Sequence, residues 1–213
     1  MRFGVRVSPL RTVIHVITRM PDDDTRFDPA DRSRYELKRA ANIVVPMSPI
    51  RKARICGGLA LIAALAAPLV ATLPAPVREA AFTGPPASTS LGVAAVALFG
   101  TVAAAGAGLG LVTLQRRLAR GPEPSDDDIW TLLAAEDALT GVGFVTGGLG
   151  VVGGVSLLAS GHWGLEALDG LRRNGIEPYL SLSAAPVTPW LVSAVGLVAG
   201  LAVLGASVVV ERD

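Results

Sequence analysis

The chain has 213 residues, 51% of them hydrophobic and only 5% aromatic, with a formal net charge of +1. A positive mean hydropathy gathered into four uncharged stretches excludes an ordinary soluble domain. The single cysteine, Cys56, excludes an intrachain disulfide and any zinc or iron–sulfur site built on cysteines.

The near-zero net charge hides an asymmetry. Residues 1–54 carry 12 Lys+Arg against 6 Asp+Glu, and the remainder carries 7 against 12. Only Lys38 and Lys52 are lysines, a usage that, with the abundance of Ala and Gly, points to a GC-rich prokaryotic genome.

Taken in order, residues 1–27 read as a disordered leader or an upstream extension, with Met20 an alternative start to Met1. Arg6, Arg11 and Arg19 interrupt every apolar run there, so a secretory signal core is not expected. The Asp22-Asp23-Asp24 run is expected to be solvated. Residues 28–54 form a basic arm. Asp28-Pro29 is a helix-start signal, and a helix from Pro29 to Val45 would gather Leu37, Ala41, Val44 and Val45 on one face. That is the pattern of an amphipathic helix at a membrane surface, with Lys38, Arg39, Arg51, Lys52 and Arg54 predicted to meet lipid headgroups. The arm lacks the aromatic interleaving of a nucleic-acid surface, so no nucleic-acid partner is expected.

Residues 55–213 read as an all-α membrane domain, a bundle of four transmembrane helices with spans at about 55–73, 91–114, 138–160 and 187–210. The third is the most telling. Its 23 residues from Ala138 to Ser160 include seven glycines and no charge. At 1.5 Å per residue it reaches about 34 Å, enough to cross a hydrocarbon core. So much glycine suits close helix packing in lipid better than a helix in water. The spacings Gly143/Gly147 and Gly150/Gly154, like Gly196 and Gly200 in the fourth span, mark packing faces whose partner helix the sequence leaves open. The GxGxxG-like matches here lack the preceding strand that a dinucleotide site requires, so no cofactor is implied. Spans 1–2 and 3–4 share composition but no matching residues, so no internal repeat is expected.

Three details refine the outline. Pro68 should kink or shorten the first span. Ser125, with Asp128 three residues on, forms a capping box that starts a helix running unbroken into the third span, with Trp130 at headgroup depth. Trp163–Arg173 reads as a short interfacial helix stopped by Asn174-Gly175. Cations near the spans number ten on one side and three on the other, which predicts a plasma-membrane protein with both termini cytoplasmic.

Chemistry-bearing groups are few. Glu136 and Asp137 are the acidic pair abutting a span and form a candidate ion or proton site. The alternative is that both lie at headgroup level, solvated or paired with Arg116 or Arg117. His162 is a lone loop histidine, Cys56 a small packing residue, and Asp126-Asp127-Asp128 a cap rather than a cation site. No metal motif and no nucleophile–base pair is found, and the span serines Ser156, Ser160, Ser193 and Ser207 have no intramembrane His or Lys to activate them. Two functional classes follow. One is a non-catalytic accessory or scaffold subunit that packs through small-residue helix faces against other helices and serves a membrane-protein partner, a homo-oligomer belonging instead to the second class. The other is a small oligomeric transporter or channel with Glu136/Asp137 at its cytoplasmic mouth.

Overall fold

The computed structural model describes residues 34–81, 91–121, 124–179 and 187–212, and all the regular elements in these stretches are helical. Four helices are long and apolar enough to cross a membrane: Pro49–Ala71, Gly92–Arg120, Asp126–Trp163 and Pro189–Glu211. The leader and the Asp28-Pro29 start lie outside the described residues.

The basic arm contributes α1 (Arg34–Asn42), which ends at Asn42, three residues before the Val45 its sequence pattern predicts. Ser48 then caps the next helix, its Oγ accepting the Arg51 amide at 3.4 Å, with Pro49 in the first turn. The first span is two helices, α2 (Pro49–Ala63) and α3 (Ala66–Ala71). The break falls where the chemistry of Pro68 puts it, because a proline ring presses on the carbonyl four residues back, here that of Ala64. The Ala67 amide beside the break donates to Ser193 Oγ of the last span at 2.8 Å. A short α4 (Ala75–Ala81) follows, then α5 (Leu91–Arg120), which continues past the predicted end of the second span.

The third long helix starts at α6 (Asp126–Gly141), as the capping box predicts. Ser125 Oγ accepts the Asp128 amide at 3.3 Å and donates its own proton to Asp128 Oδ2 at 2.7 Å, so the carboxylate holds the cap's hydroxyl rather than its amide. The helix widens to a π turn over Val142–Gly147, resumes as α7 (Gly148–Ala159) and tightens to a 3₁₀ turn at Ser160–Trp163. Four glycines, at 141, 143, 147 and 148, lie in or beside the π turn. Next is α8 (Leu165–Arg173), closed by Gly175 at φ +76°. There the Gly175 amide reaches Arg172 O and the Ile176 amide reaches Leu171 O, which is a Schellman closure. The last element is α9 (Pro189–Arg212).

The central helix is α5, packed against α2, α9, the π turn and α7. Its contact with the third span is made almost without side chains. A Cβ placed on Gly100 would lie 2.6 Å from the Val151 nitrogen, and one on Gly150 would lie 2.7 Å from Gly100 Cα. Gly154 meets Ala97 and Gly147 meets Ala104, while Gly143 meets Ala107 and the Cys56 sulfur. On the other side, Gly196 lies on Ala60 O and Ala63, and Gly200 on Leu61 and Gly57 O. Both glycine sets therefore face neighbours within this chain, which removes them as surfaces for a partner.

Candidate functional site

Helix ends gather at two poles. At one, Arg54 at the start of the first span pairs with Glu211 at the end of the last. At the other, Tyr179 OH donates to Leu158 O at 2.6 Å and accepts the Gly161 amide at 3.0 Å, closing the end of α7. There too His162 meets Thr72 Oγ1 at 3.2 Å, and Glu166, Asp169, Arg172 and Arg173 line a shallow charged cleft.

The chemistry concentrates at the first pole, around Glu136. Its carboxylate is fully buried and receives donors from three residues. Lys52 Nζ donates to Oε1 at 2.7 Å. Arg39 grips both oxygens, Nη2 to Oε1 at 2.9 Å and Nε to Oε2 at 2.9 Å. Tyr35 OH donates to Oε2 at 2.7 Å. A bidentate guanidinium is the strongest geometry available to a carboxylate, and with Lys52 and Tyr35 added, each oxygen has at least two donors. Arg39 Nη2 also donates to Met47 O, tying the loop between α1 and α2 to the cluster.

Local structure explains how these groups converge. Tyr35 and Arg39 are four residues apart on α1 and so share a face. The Tyr35 ring packs among Leu114, Ile129, Leu132 and Leu133, which fixes that helix against the ends of α5 and α6. Burial, with the Glu136 carboxylate second, pushes the Tyr35 phenol above its ordinary range, so it stays a donor. For Arg39, burial is the largest influence and works against the charge, but the hydrogen bonds it donates to Glu136 and the attraction of that carboxylate together outweigh it, and its pKa is raised.

These positions correct the headgroup expectation for part of the arm. Lys52 is wholly buried and Arg39 half-buried, because both point at a carboxylate that would otherwise be an unpaired buried charge. Lys38 bridges to Asp126 at 3.1 Å and lies 5.4 Å above the Trp130 ring. Arg54 engages Glu211, and Arg51 stays exposed. Glu136 is neither solvated nor paired with Arg116 or Arg117 as the alternative reading had it. Its neighbour Asp137 is half-buried, and its Oδ1 is out of solvent with no hydrogen-bond partner. Among the described residues no trio of His, Cys, Asp or Glu side chains is grouped to hold a metal ion.

Sequence reasoning missed Tyr35 entirely. The signal was present: an aromatic one helical turn before an arginine, on the face opposite Leu37 and Ala41.

No family model, curated protein or solved structure matches the chain.

Proposed function

We propose that this is a multi-pass protein of a prokaryotic plasma membrane, both ends cytoplasmic, acting as a non-catalytic accessory or scaffold subunit. The observation that carries the reading is the saturation of Glu136. This carboxylate, abutting the third span, is occupied by two cations and a phenol of its own chain, which makes it a structural lock rather than an exchange site. The lock joins the cytoplasmic arm to the third span and so presents the arm as a fixed surface. Backbone-close packing of α5 on α7 supports the same reading, since it leaves no room for a conduit between them. A partner in the membrane would meet the outer surface instead, and α9, the least buried of the four long helices, offers Val198, Leu201 and Val209 there.

The test is the mass and composition of the complex after gentle extraction from its native membrane. A second protein recovered in fixed stoichiometry is the expected result. A homo-oligomer with nothing else bound would overturn it.

One observation favours the transporter reading: the unpartnered Oδ1 of Asp137, beside Glu136 and less than two turns before the π turn. Under that reading Asp137→Asn abolishes flux of the transported ion in reconstituted vesicles; unchanged flux eliminates it.

A further inference from the structure

Helix α1 has two opposed faces. Tyr35 and Arg39 turn toward Glu136. At about 100° per residue, Leu37, Ala40 and Ala41 lie on the far side, and all three are exposed. Leu37 is 48% exposed, and Val44 just beyond the helix is 81% exposed. Among the described residues nothing covers this apolar strip, yet the cluster behind it holds it in one orientation.

The strip is bordered by positive charge. Arg34 and Lys38 flank it on one edge, Glu36 being on the other. Arg51 stands in the first turn of α2, and Arg116 near the end of α5 at the same pole. The other cations here are engaged by acids of this chain: Lys38 by Asp126, Arg39 and Lys52 by Glu136, Arg54 by Glu211. Arg117 lies within the electrostatic reach of Asp128. Arg34, Arg51 and Arg116 are exposed, and no described acid lies within ion-pair distance of them. An apolar strip edged by uncompensated guanidinium groups, beside four membrane-length helices, is complementary to one surface: acyl chains beneath phosphate-bearing heads.

We propose that α1 is a lipid-reading face. Leu37, Ala40, Ala41 and Val44 bed in the leaflet, and Arg34, Arg51 and Arg116 bind anionic phospholipid heads. Glu136 acts from behind, holding Arg39 and Lys52 out of the lipid so that the helix keeps its apolar side outward. The inference rests on the membrane reading above but not on the accessory role.

The full chain, stripped of lipid in detergent, is titrated with phosphatidylglycerol and, separately, phosphatidylcholine of the same acyl chains, and retained lipid is read by native mass spectrometry. The wild type retains phosphatidylglycerol preferentially, and the combined variant Arg34→Gln/Arg51→Gln/Arg116→Gln loses about tenfold or more of that preference. A second measurement does not depend on charge. Cys56→Ala removes the only thiol, and Leu37→Cys then takes a nitroxide. In vesicles of equal parts phosphatidylcholine and phosphatidylglycerol, the label is broadened more by oxygen than by a water-soluble nickel complex. Equal retention of the two lipids, an unchanged preference in the triple variant, or a label more accessible to nickel overturns the proposal. Release of the chain from vesicles by alkaline carbonate overturns the membrane reading itself, and retention without lipid preference overturns only the lipid-reading face.

Discussion

Lys52 and Glu136 stand 84 residues apart in sequence and meet at 2.7 Å, with neither side chain exposed to solvent. Breaking such a pair from one side leaves a buried charge stranded, whereas removing both partners relieves that part of the penalty. Glu136→Gln strands two cations and should cost about 3–5 kcal/mol. Lys52→Met leaves the Arg39 fork intact and should cost less, about 1.5–3 kcal/mol. Because the residues share one network, the double variant should be more stable than the sum of the two losses. Chemical unfolding in mixed micelles measures all three, and strict additivity would show that the pair does not act as a unit.

Both tyrosines of the chain are buried hydrogen-bond donors, Tyr35 to Glu136 and Tyr179 to Leu158 O. Burial raises both phenols above their ordinary value of 10.0. A raised folded-state pKa contributes stability that is complete below the unfolded pKa and is lost as pH climbs through the folded one. The native protein should therefore show less than half of its tyrosinate absorbance at pH 10, and the signal should rise together with loss of fold at higher pH. Half-titration at pH 10 with the fold intact would contradict the buried placement.

The glycines of the third span divide by what they face. A Cβ on Gly150 would press on Gly100 Cα at 2.7 Å and on Val96 O at 3.0 Å, while one on Gly153 would meet nothing within 4 Å. Gly150→Ala should force α5 and α7 apart at a cost of about 1–3 kcal/mol. Gly153→Ala should be neutral or slightly stabilising, since alanine is the better helix former. If the two variants unfold alike, the packing described for α5 is wrong.

Ser193 supports the broken first span by accepting the Ala67 amide. Ser193→Ala should cost about 1–2 kcal/mol, the penalty of a buried amide left unsatisfied. Restoring the ladder with Pro68→Ala should remove most of that penalty, because the break that frees the amide no longer forms. A double-variant unfolding cycle reads this coupling, and an equal cost in both backgrounds would disprove it.

The four membrane-length helices were legible because each contains a long uncharged run, and the Ser125 cap, the Pro68 break and the Gly175 stop were legible because each acts through local backbone chemistry. What faces what was not. Gly143, Gly147, Gly150 and Gly154 announce close approach, but only the folded chain shows that α5 supplies the opposing surface. The Glu136 cluster was half legible: an acid abutting a span was conspicuous, while its partners lie up to 101 residues away and read in isolation as an ordinary basic arm. The π turn lies in a glycine-dense segment, yet glycine density alone does not distinguish a widened turn from a packing ridge.

The spacing of the cluster also has a bearing on biosynthesis. A chain made from its N-terminus exposes Tyr35, Arg39 and Lys52 long before residue 136 leaves the ribosome, so while the first two spans are made Arg39 and Lys52 lack the carboxylate that pairs with them in the folded chain. During that interval the flexible stem of Lys52 leaves its ammonium free to stay in water. The closing of the cluster then waits for the third span, whose arrival draws the arm inward and converts a loose hairpin into a docked structure.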